Sequence, residues 1–322
     1  MNRQELIQKV EFLVGEGHKE LHLYGFTKSE DNIYKINISP ALETQLIEVV
    51  TSGVKAYLIE KEYDILNFST AESRQNCYFY YDLEEMPERM VQVPYVIGNH
   101  NVPSFNLHNH SVEELNTLVI LITDGNGHSF ALYKIISAVE KVVKSTKQVL
   151  VKFGIGEEYL TEEDTPLLRI SPRFQMVYVD GSFVFLDSSS VEGQFKLHQL
   201  LNNEAARKIE VIAQTGLLKD VNKLRQYTDN IAFSRKLVGV MRSSLVIEKN
   251  ISKTEIFKFI QEDDELKDLF KIVQVEGGSF IDINSQTTAR RFLDLLNDEF
   301  LFSTLTKQKY HALDKQQRRS KE

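Results

Sequence analysis

The stretch RFQMVYVDGSFVFLD, residues 173–187, decides the fold prediction. Two runs rich in Phe, Val and Tyr flank Asp180-Gly181, a dipeptide that accepts the positive φ angles of a tight hairpin turn. Alternate residues of a strand point to opposite faces, and here both faces are apolar, as Met176 and Val177 illustrate. The pattern therefore predicts a central hairpin that is covered on both sides rather than a surface ribbon.

Two other segments have a hairpin signature, 118–135 around Asp124-Gly125-Asn126-Gly127 and 270–283 around Glu276-Gly277-Gly278. Between the hairpins, apolar residues recur at helical spacing. The sequence predicts helices over 3–15, 40–52, 137–147, 191–224, 231–241, 252–260 and 288–297, with Gly53 ending the second of them and a break near Gly216 in the fourth. Residues 82–109 are expected to be irregular. The predicted fold class is α+β, with mixed, largely antiparallel sheets built from hairpins and with helices packed on them.

The composition is that of an ordinary globular protein, with 322 residues, 42% of them hydrophobic and 26% charged. Glu5, Glu11 and Glu16 interrupt the N-terminal apolar pattern, which argues against a signal peptide. The single cysteine, Cys77, excludes an intramolecular disulfide and is predicted to be a small buried thiol. These features predict a cytoplasmic protein.

Charge is unevenly distributed along the chain. Residues 1–130 hold 9 Lys/Arg and 19 Asp/Glu, whereas residues 131–322 hold 29 and 27. Prolines and polar residues cluster between positions 98 and 112, where the balance begins to change. We therefore predict an acidic N-terminal α+β domain over 1–110, followed by an α+β domain over 111–322 with basic helices and a polar tail.

No catalytic motif stands out in the sequence. The histidine cluster is His100, His108, His110 and His128, and it lacks the carboxylate support expected of a metal site. Asp180 is explained by its turn, and Asp187 by the end of a strand before a serine-rich helix start. We predict no catalytic residue, no metal and no cofactor. A metal-dependent nuclease that uses these acids or histidines is the competing hypothesis.

Basic segments are the remaining signal. Lysines outnumber acids five to one over 134–152, and Lys/Arg outnumber Asp/Glu 11 to 5 over 207–258. Side chains of this kind neutralise nucleic-acid phosphates without reading sequence. The candidate DNA-binding residues are Lys141, Lys144, Lys147, Lys219, Lys223, Arg225, Arg235, Lys236 and Arg242.

Three blocks resemble one known family when taken in order. They are KQVLVKFG with TPLLRISPRFQMVYVDGSFVFLD (147–154 and 165–187), SSVEGQFKLHQLLNNEAARKIEVI (189–212) and LNDEFLFSTLTKQKYHALDK (296–315). From about residue 131 onward, the chain resembles the Kiwa anti-phage defence family, specifically its KwaB-like component. The acidic N-terminal part matches this family in general layout.

The resemblance implies a cytoplasmic protein without established enzyme chemistry. Family members work with a small multi-pass membrane protein, bind double-stranded phage DNA to block replication and transcription without cleaving it, and are thought to form homodimers. The membrane partner would recruit the protein to the inner face of the cell membrane. The acidic N-terminal part could then dock a basic loop of that partner, a hypothesis that truncation of residues 1–100 would test. A nuclease effector and a scaffold that binds protein alone remain the alternatives.

Overall fold

A computed structural model describes most of the chain. The described residues are 1–28, 32–69, 76–97, 101–106, 108–137, 140–142, 151–153, 160–162, 167–302 and 309–311. The chain divides into two compact units. The first unit comprises Met1–Phe68 with Ser73–Leu197, and the second comprises Ser69–Glu72 with His198–Glu322.

The first unit is built on an eight-stranded sheet. In chain order its elements are α1 (Arg3–Val14), β1 (Lys19–Thr27), β2 (Ile33–Ile36), α2 (Pro40–Val54), β3 (Asp64–Asn67), β4 (Cys77–Tyr80), α3 (Glu88–Tyr95), β5 (Leu115–Asp124), β6 (Ser129–Ile135), β7 (Lys141–Val142), β8 (Val151–Phe153), β9 (Leu160–Glu162), β10 (Leu167–Leu168), β11 (Met176–Val179), β12 (Ser182–Phe185) and α4 (Ser188–Phe195). The sheet order is β2-β1-β5-β6-β11-β12-β4-β3, antiparallel throughout except for β3 with β4.

The hairpin of residues 173–187 lies inside this sheet, as predicted. β11 and β12 pair around Asp180 and Gly181, which both have positive φ angles of 45° and 78°. β6 flanks the hairpin on one side and β4 on the other. Because it has neighbours on both edges, its backbone hydrogen bonds are satisfied inside the sheet.

Apolar layers cover both faces of the hairpin. On one face, Val177 and Val184 belong to the core that also contains Leu6 of α1 and Val50 of α2. On the other face, the ring of Phe185 lies 5.4 Å from that of Phe68 and edge-on to it. Burial of this kind contributes about 1.5–3 kcal/mol for each large apolar side chain. The prediction of a hairpin covered on both sides is confirmed.

The predicted domain boundary between residues 110 and 111 falls inside the first unit. β1, which lies before that point, pairs with β5, which lies after it, from Lys19↔Asp124 to Thr27↔Leu115. Since an antiparallel ladder, irregular only between Phe26 and Thr27, joins the two stretches, they fold as parts of one sheet. The proline-rich region is a connection within this unit.

Three local predictions for the first unit need correction. Residues 82–109 are not wholly irregular, because α3 spans Glu88–Tyr95. The helix expected over 137–147 is wrong at Lys141–Val142, which form β7 and pair with β10; residues 143–150 lie outside the described part. Cys77 is half-buried rather than buried. At Lys141–Val142, pairing with β10 outweighs the local helix propensity.

Gly53 does not end α2. The helix continues to Val54 and passes into a π-helical turn over Lys55–Ile59. A Cβ atom at Gly53 would lie too close to the carbonyl oxygen of Pro172 and within 3.0 Å of the Phe174 ring. The glycine therefore permits close approach of the helix to the segment that leads into β11.

The second unit is mainly helical. Its elements are α5 (Leu197–Gln214), α6 (Asn222–Arg225), α7 (Ile231–Ser243), α8 (Leu245–Glu248), α9 (Lys253–Glu262), α10 (Asp264–Leu269), β13 (Lys271–Val275), β14 (Gly278–Asp282), α11 (Gln286–Leu296), β15 (Phe300–Phe302) and β16 (Lys309–His311). A capping box of Ser252 and Glu255 starts α9, the helix predicted over 252–260. The predicted hairpin over 270–283 is β13–β14.

The helical stretch predicted over 191–224 is three helices, and the predicted break near Gly216 is confirmed. Lys196, with a φ of 52°, separates α4 from α5, and Gly216, with a φ of 61°, follows the end of α5. The overall prediction of an α+β fold with largely antiparallel sheets is confirmed. Within the described residues, no helix is long and apolar enough to span a membrane.

Candidate nucleic-acid interface

Lys141, the first of the predicted DNA-binding residues, donates hydrogen bonds to the protein's own backbone. The ammonium group of Lys141 in β7 donates to the carbonyl oxygens of Leu115, at 2.6 Å, and Glu113, at 3.3 Å. Burial lowers the pKa of Lys141, and the nearby positive charge of Lys28 lowers it further. Lys144 and Lys147 lie outside the described residues.

The predicted basic residues of α7 face carboxylates of the protein itself. Lys236 forms ion pairs with Asp294 and, at 3.2 Å, with Glu299. Those two carboxylate side chains are 4% and 7% exposed, so each needs a cationic partner inside the fold. Arg242 likewise donates to Glu204, whose side chain is 1% exposed, at 2.7 Å. Arg235, on the same helix, is half-buried.

Three lysines come together from α6, the segment just before it and the β13–β14 hairpin. We call Lys219, Lys223 and Lys271 the lysine cluster; Asp282 lies at its centre. The ammonium of Lys223 is 2.7 Å from Oδ1 of Asp282, and Lys271 is the cross-strand partner of Asp282. The backbone N–H of Lys219 donates to the carbonyl of Ile281, the residue before Asp282, at 3.0 Å.

The cluster carries more positive than negative charge. The hydrogen bond from Lys223 lowers the pKa of Asp282, and the charges of Lys219 and Lys271 lower it further. Three ammonium groups thus act on one carboxylate. Lys219 and Lys271 are exposed to solvent, which leaves them able to contact an external anion such as a phosphate.

Lys253 extends this positive surface along β14. Its ammonium lies 3.8 Å from the centroid of the Phe280 ring, a cation–π contact. Phe280 and Asp282 are two residues apart on one strand and so share a face. The basic surface of the second unit therefore follows the hairpin from the lysine cluster to the start of α9.

Only part of the lysine cluster belongs to the predicted DNA-binding residues. Lys219 and Lys223 were predicted, whereas Lys271 and Lys253 were not. Lys271 lies outside the basic run of residues 207–258. Its position opposite Asp282 in the predicted hairpin is the sequence feature that could have placed it in the cluster. Arg225, also predicted, forms an ion pair with Glu210 on α5.

The acids considered for catalysis have structural partners. Asp180 occupies the hairpin turn and forms an ion pair with Lys9 of α1. Asp187 is the N-cap of α4 and accepts hydrogen bonds from the Ser190 backbone N–H, at 3.3 Å, and from the Ser190 hydroxyl, at 2.9 Å. These contacts are the turn and strand-end roles that the sequence indicated.

Two histidines of the histidine cluster make contacts in different places. His110 stacks on Phe105 with ring centroids 5.1 Å apart, and His128 stacks on Phe12 at 5.5 Å while its Nδ1 lies 2.8 Å from Asp124. His100 lies outside the described residues. Among the residues that the structure describes, no three His, Cys, Asp or Glu side chains converge as metal ligands would.

Comparison with known proteins supports the resemblance found in the sequence. Residues 112–306 match the family model described as Kiwa protein KwaB-like. The chain is also similar to Kiwa protein KwaB of Escherichia coli O55:H7 (strain RM12579 / EPEC). The two are 24% identical over 296 residues, which cover 90% of this chain and 91% of that protein. No solved structure matches the chain.

Proposed function

Because the chain belongs to the Kiwa protein KwaB-like family, we propose that it is a DNA-binding component of an anti-phage defence system. In this proposal it binds double-stranded phage DNA through the phosphates and blocks replication and transcription without cleaving the strands. It acts as a homodimer in the cytoplasm, and a small multi-pass membrane protein recruits it to the inner face of the membrane.

The observation that carries the proposal is the lysine cluster. Lys219, Lys223 and Lys271 surround a single carboxylate, and two of the three are exposed. A surface of this kind attracts a polyanion through Coulomb interactions and released counterions. Lysine contacts to phosphate position the protein on DNA without reading its sequence, which suits a protein that must act on varied phage genomes.

The distribution of charge between the units supports separate partners. The second unit holds 21 Lys/Arg and 19 Asp/Glu, whereas the first holds 17 and 27. An acidic surface repels DNA and attracts a basic segment. The first unit is therefore the side proposed to dock a basic cytoplasmic loop of the membrane partner, since such loops are enriched in Lys and Arg.

A mobility-shift titration at several salt concentrations tests the DNA proposal. We expect retardation of duplex DNA that weakens steeply as salt rises, with little dependence on sequence. Parallel lanes with Mg²⁺ or Mn²⁺ test for cleavage, and shortened DNA in those lanes would favour the nuclease alternative. Absence of retardation at low salt would favour a scaffold that binds protein alone.

Charge reversal locates the interface. The double variant Lys219→Glu/Lys271→Glu should weaken duplex binding by at least about tenfold, equivalent to about 1.4 kcal/mol. The neutral variant Lys271→Gln should reduce the salt slope by about 1. Lys55→Glu/Lys258→Glu is the matched control, because it changes net charge equally at exposed lysines outside the cluster. Equal loss in both double variants would point to net charge rather than to this surface.

A further inference from the structure

The second unit contains a cavity of about 320 Å³ beside the lysine cluster. We call it the Asn250 cavity. Its walls are largely aliphatic and include Val211 of α5, Val246 of α8 and Ile256 of α9. Its size and apolar lining are typical of a pocket for a small, flat organic group, where a few polar atoms set orientation.

Two amide side chains supply those polar atoms. Gln214 and Asn250 both line the cavity and are exposed, and neither amide makes a hydrogen bond within the described part of the chain. The neighbouring hydroxyl of Thr215, in contrast, donates to the carbonyl of Ile212 at 2.7 Å. An amide offers a donor and an acceptor side by side, the arrangement that pairs with the edge of a nucleobase.

The cavity is continuous with the basic surface. Leu217 lines the cavity, and its carbonyl accepts from the N–H of Ile281 at 2.8 Å; Lys219 follows two residues later. Lys253 lines the cavity too and lies over Phe280. As far as the structure describes it, the lining includes no acidic residue, and Lys253 is its one charged side chain.

An adjoining cavity of about 370 Å³ provides a contrast. It shares Val246, Ile251 and Ile256 with the Asn250 cavity, but Glu255 and Asp298 contribute to its lining. Carboxylates beside a site disfavour a nucleotide because they repel its phosphate. The two linings thus differ in charge: the Asn250 cavity has one lysine and no acid, whereas the adjoining cavity has one lysine, Lys249, and two acids.

We infer that the Asn250 cavity binds one unpaired nucleobase of the DNA strand whose phosphates contact the lysine cluster. This inference rests on the proposed DNA binding. The aliphatic walls would contact the faces of the base and the two amides would bond its edge, as in pockets that hold bases outside the duplex stack. The protein should then prefer DNA with single-stranded ends or unpaired positions.

Fluorescence anisotropy with the full-length protein tests this preference. The probes are a blunt duplex, the same duplex with a single-stranded overhang, and the same duplex with one central unpaired base. Stacking and edge contacts to one base correspond to a preference of roughly 5- to 100-fold for the two probes with unpaired bases. Equal affinity for all three probes would overturn the inference, although the proposed duplex binding would stand.

Val211→Trp provides the structural test, because Val211 is 39% exposed and a larger side chain there fills the cavity from its rim. We expect the preference for unpaired bases to disappear while affinity for the blunt duplex stays unchanged. Val91→Trp, at an exposed valine in the first unit, should leave both affinities as in the wild type. If Val211→Trp alters self-association and leaves the preference intact, the cavity is a protein interface and the inference fails.

Discussion

A single lysine, Lys236, illustrates how burial decides the role of a basic residue. Its ammonium lies between Asp294 and Glu299, and Arg291 also contacts Asp294, at 3.3 Å. Removing the cation from a buried pair leaves an uncompensated charge, which costs far more than the pair itself contributes. Lys236 is therefore expected to stabilise the second unit rather than to bind phosphate.

Lys236→Glu should lower the free energy of unfolding by about 3 kcal/mol or more, because three carboxylates would then face one another. Urea denaturation measures the change. Lys258→Glu, at an exposed lysine that pairs with Glu262 at 3.7 Å, should change stability by less than about 1 kcal/mol. A Lys236→Glu protein that folds as stably as wild type would contradict this role. Loss of DNA binding in an unfolded variant would not identify a contact.

The sequence alone identifies the basic residues, but it does not separate those that pair with buried carboxylates from those free to contact phosphate. Lys219 and Lys236 belong to the same basic run, and both follow helical or turn patterns. The carboxylates that engage Lys236 come from positions 294 and 299, about sixty residues away. Only the packing of α7 against α11 brings them together. Long-range pairings of this kind have no local signature in the sequence.

At the level of elements, the hairpins were predictable and some helix limits were not. The turn residues Asp180 and Gly181 specify β11–β12 locally, so their chemistry can be read directly from the sequence. The role of Gly53, in contrast, cannot be read from the local sequence. A glycine commonly follows a helix, yet here α2 continues through it because another segment approaches closely.

Gly53→Ala should destabilise the protein by about 1–3 kcal/mol, since the new methyl group would overlap the Pro172 carbonyl and the Phe174 ring. Gly193→Ala in α4 is the matched control. A Cβ atom there meets nothing within 4 Å, so the usual helix preference for Ala should stabilise the protein by about 0.5–1 kcal/mol. Thermal unfolding of both variants gives the comparison. If Gly53→Ala stabilised the protein as Gly193→Ala does, α2 and the Pro172 segment could move apart with little loss of stability.

The β5–β6 turn contributes to the stability of the fold, and this contribution depends on pH. The carboxylate of Asp124 accepts from the backbone N–H groups of Asn126 and His128, each at 2.9 Å, and lies 2.8 Å from the His128 ring. The His128 ring contact is the largest cause that lowers the pKa of Asp124, to about 2. An unfolded aspartate titrates at about pH 3.9, so the ionised form stabilises the fold above that value. This contribution is lost as the pH falls through about 2.

Asp124→Asn should therefore lower Tm relative to wild type at pH 6, and the difference should shrink between about pH 4 and pH 2. Thermal unfolding across this range measures it. Asp229→Asn, at an exposed aspartate with no ion pair in the described part of the chain, is the control and should show no such trend. A difference between wild type and Asp124→Asn that persists unchanged to pH 2 would mean that ionisation of Asp124 does not stabilise the turn.

At the scale of the whole molecule, the excess negative charge belongs to the first unit, which draws strands from both sides of residue 110. This connectivity changes how its role can be tested. Truncation of residues 1–100 would remove β1 to β4, half of the eight-stranded sheet, and would expose the core shared with β5 and β11. If such a variant no longer bound the membrane partner, the loss would reflect unfolding of the first unit. Point substitutions of exposed acids are the sharper test.

Glu16→Gln/Glu60→Gln/Glu62→Gln changes three exposed carboxylates of the first unit without changing their size. If the acidic unit docks a basic loop of the membrane partner, this variant should bind that partner several-fold more weakly at low salt, mainly through slower association. Its affinity for DNA should stay equal or rise slightly, because a repulsive charge is removed. The Lys219→Glu/Lys271→Glu variant should do the reverse, losing DNA and keeping the partner. Binding to the partner reconstituted in nanodiscs, measured beside DNA anisotropy, separates the two surfaces. If either variant lost affinity for both DNA and the membrane partner, the two ligands would not bind to separate units.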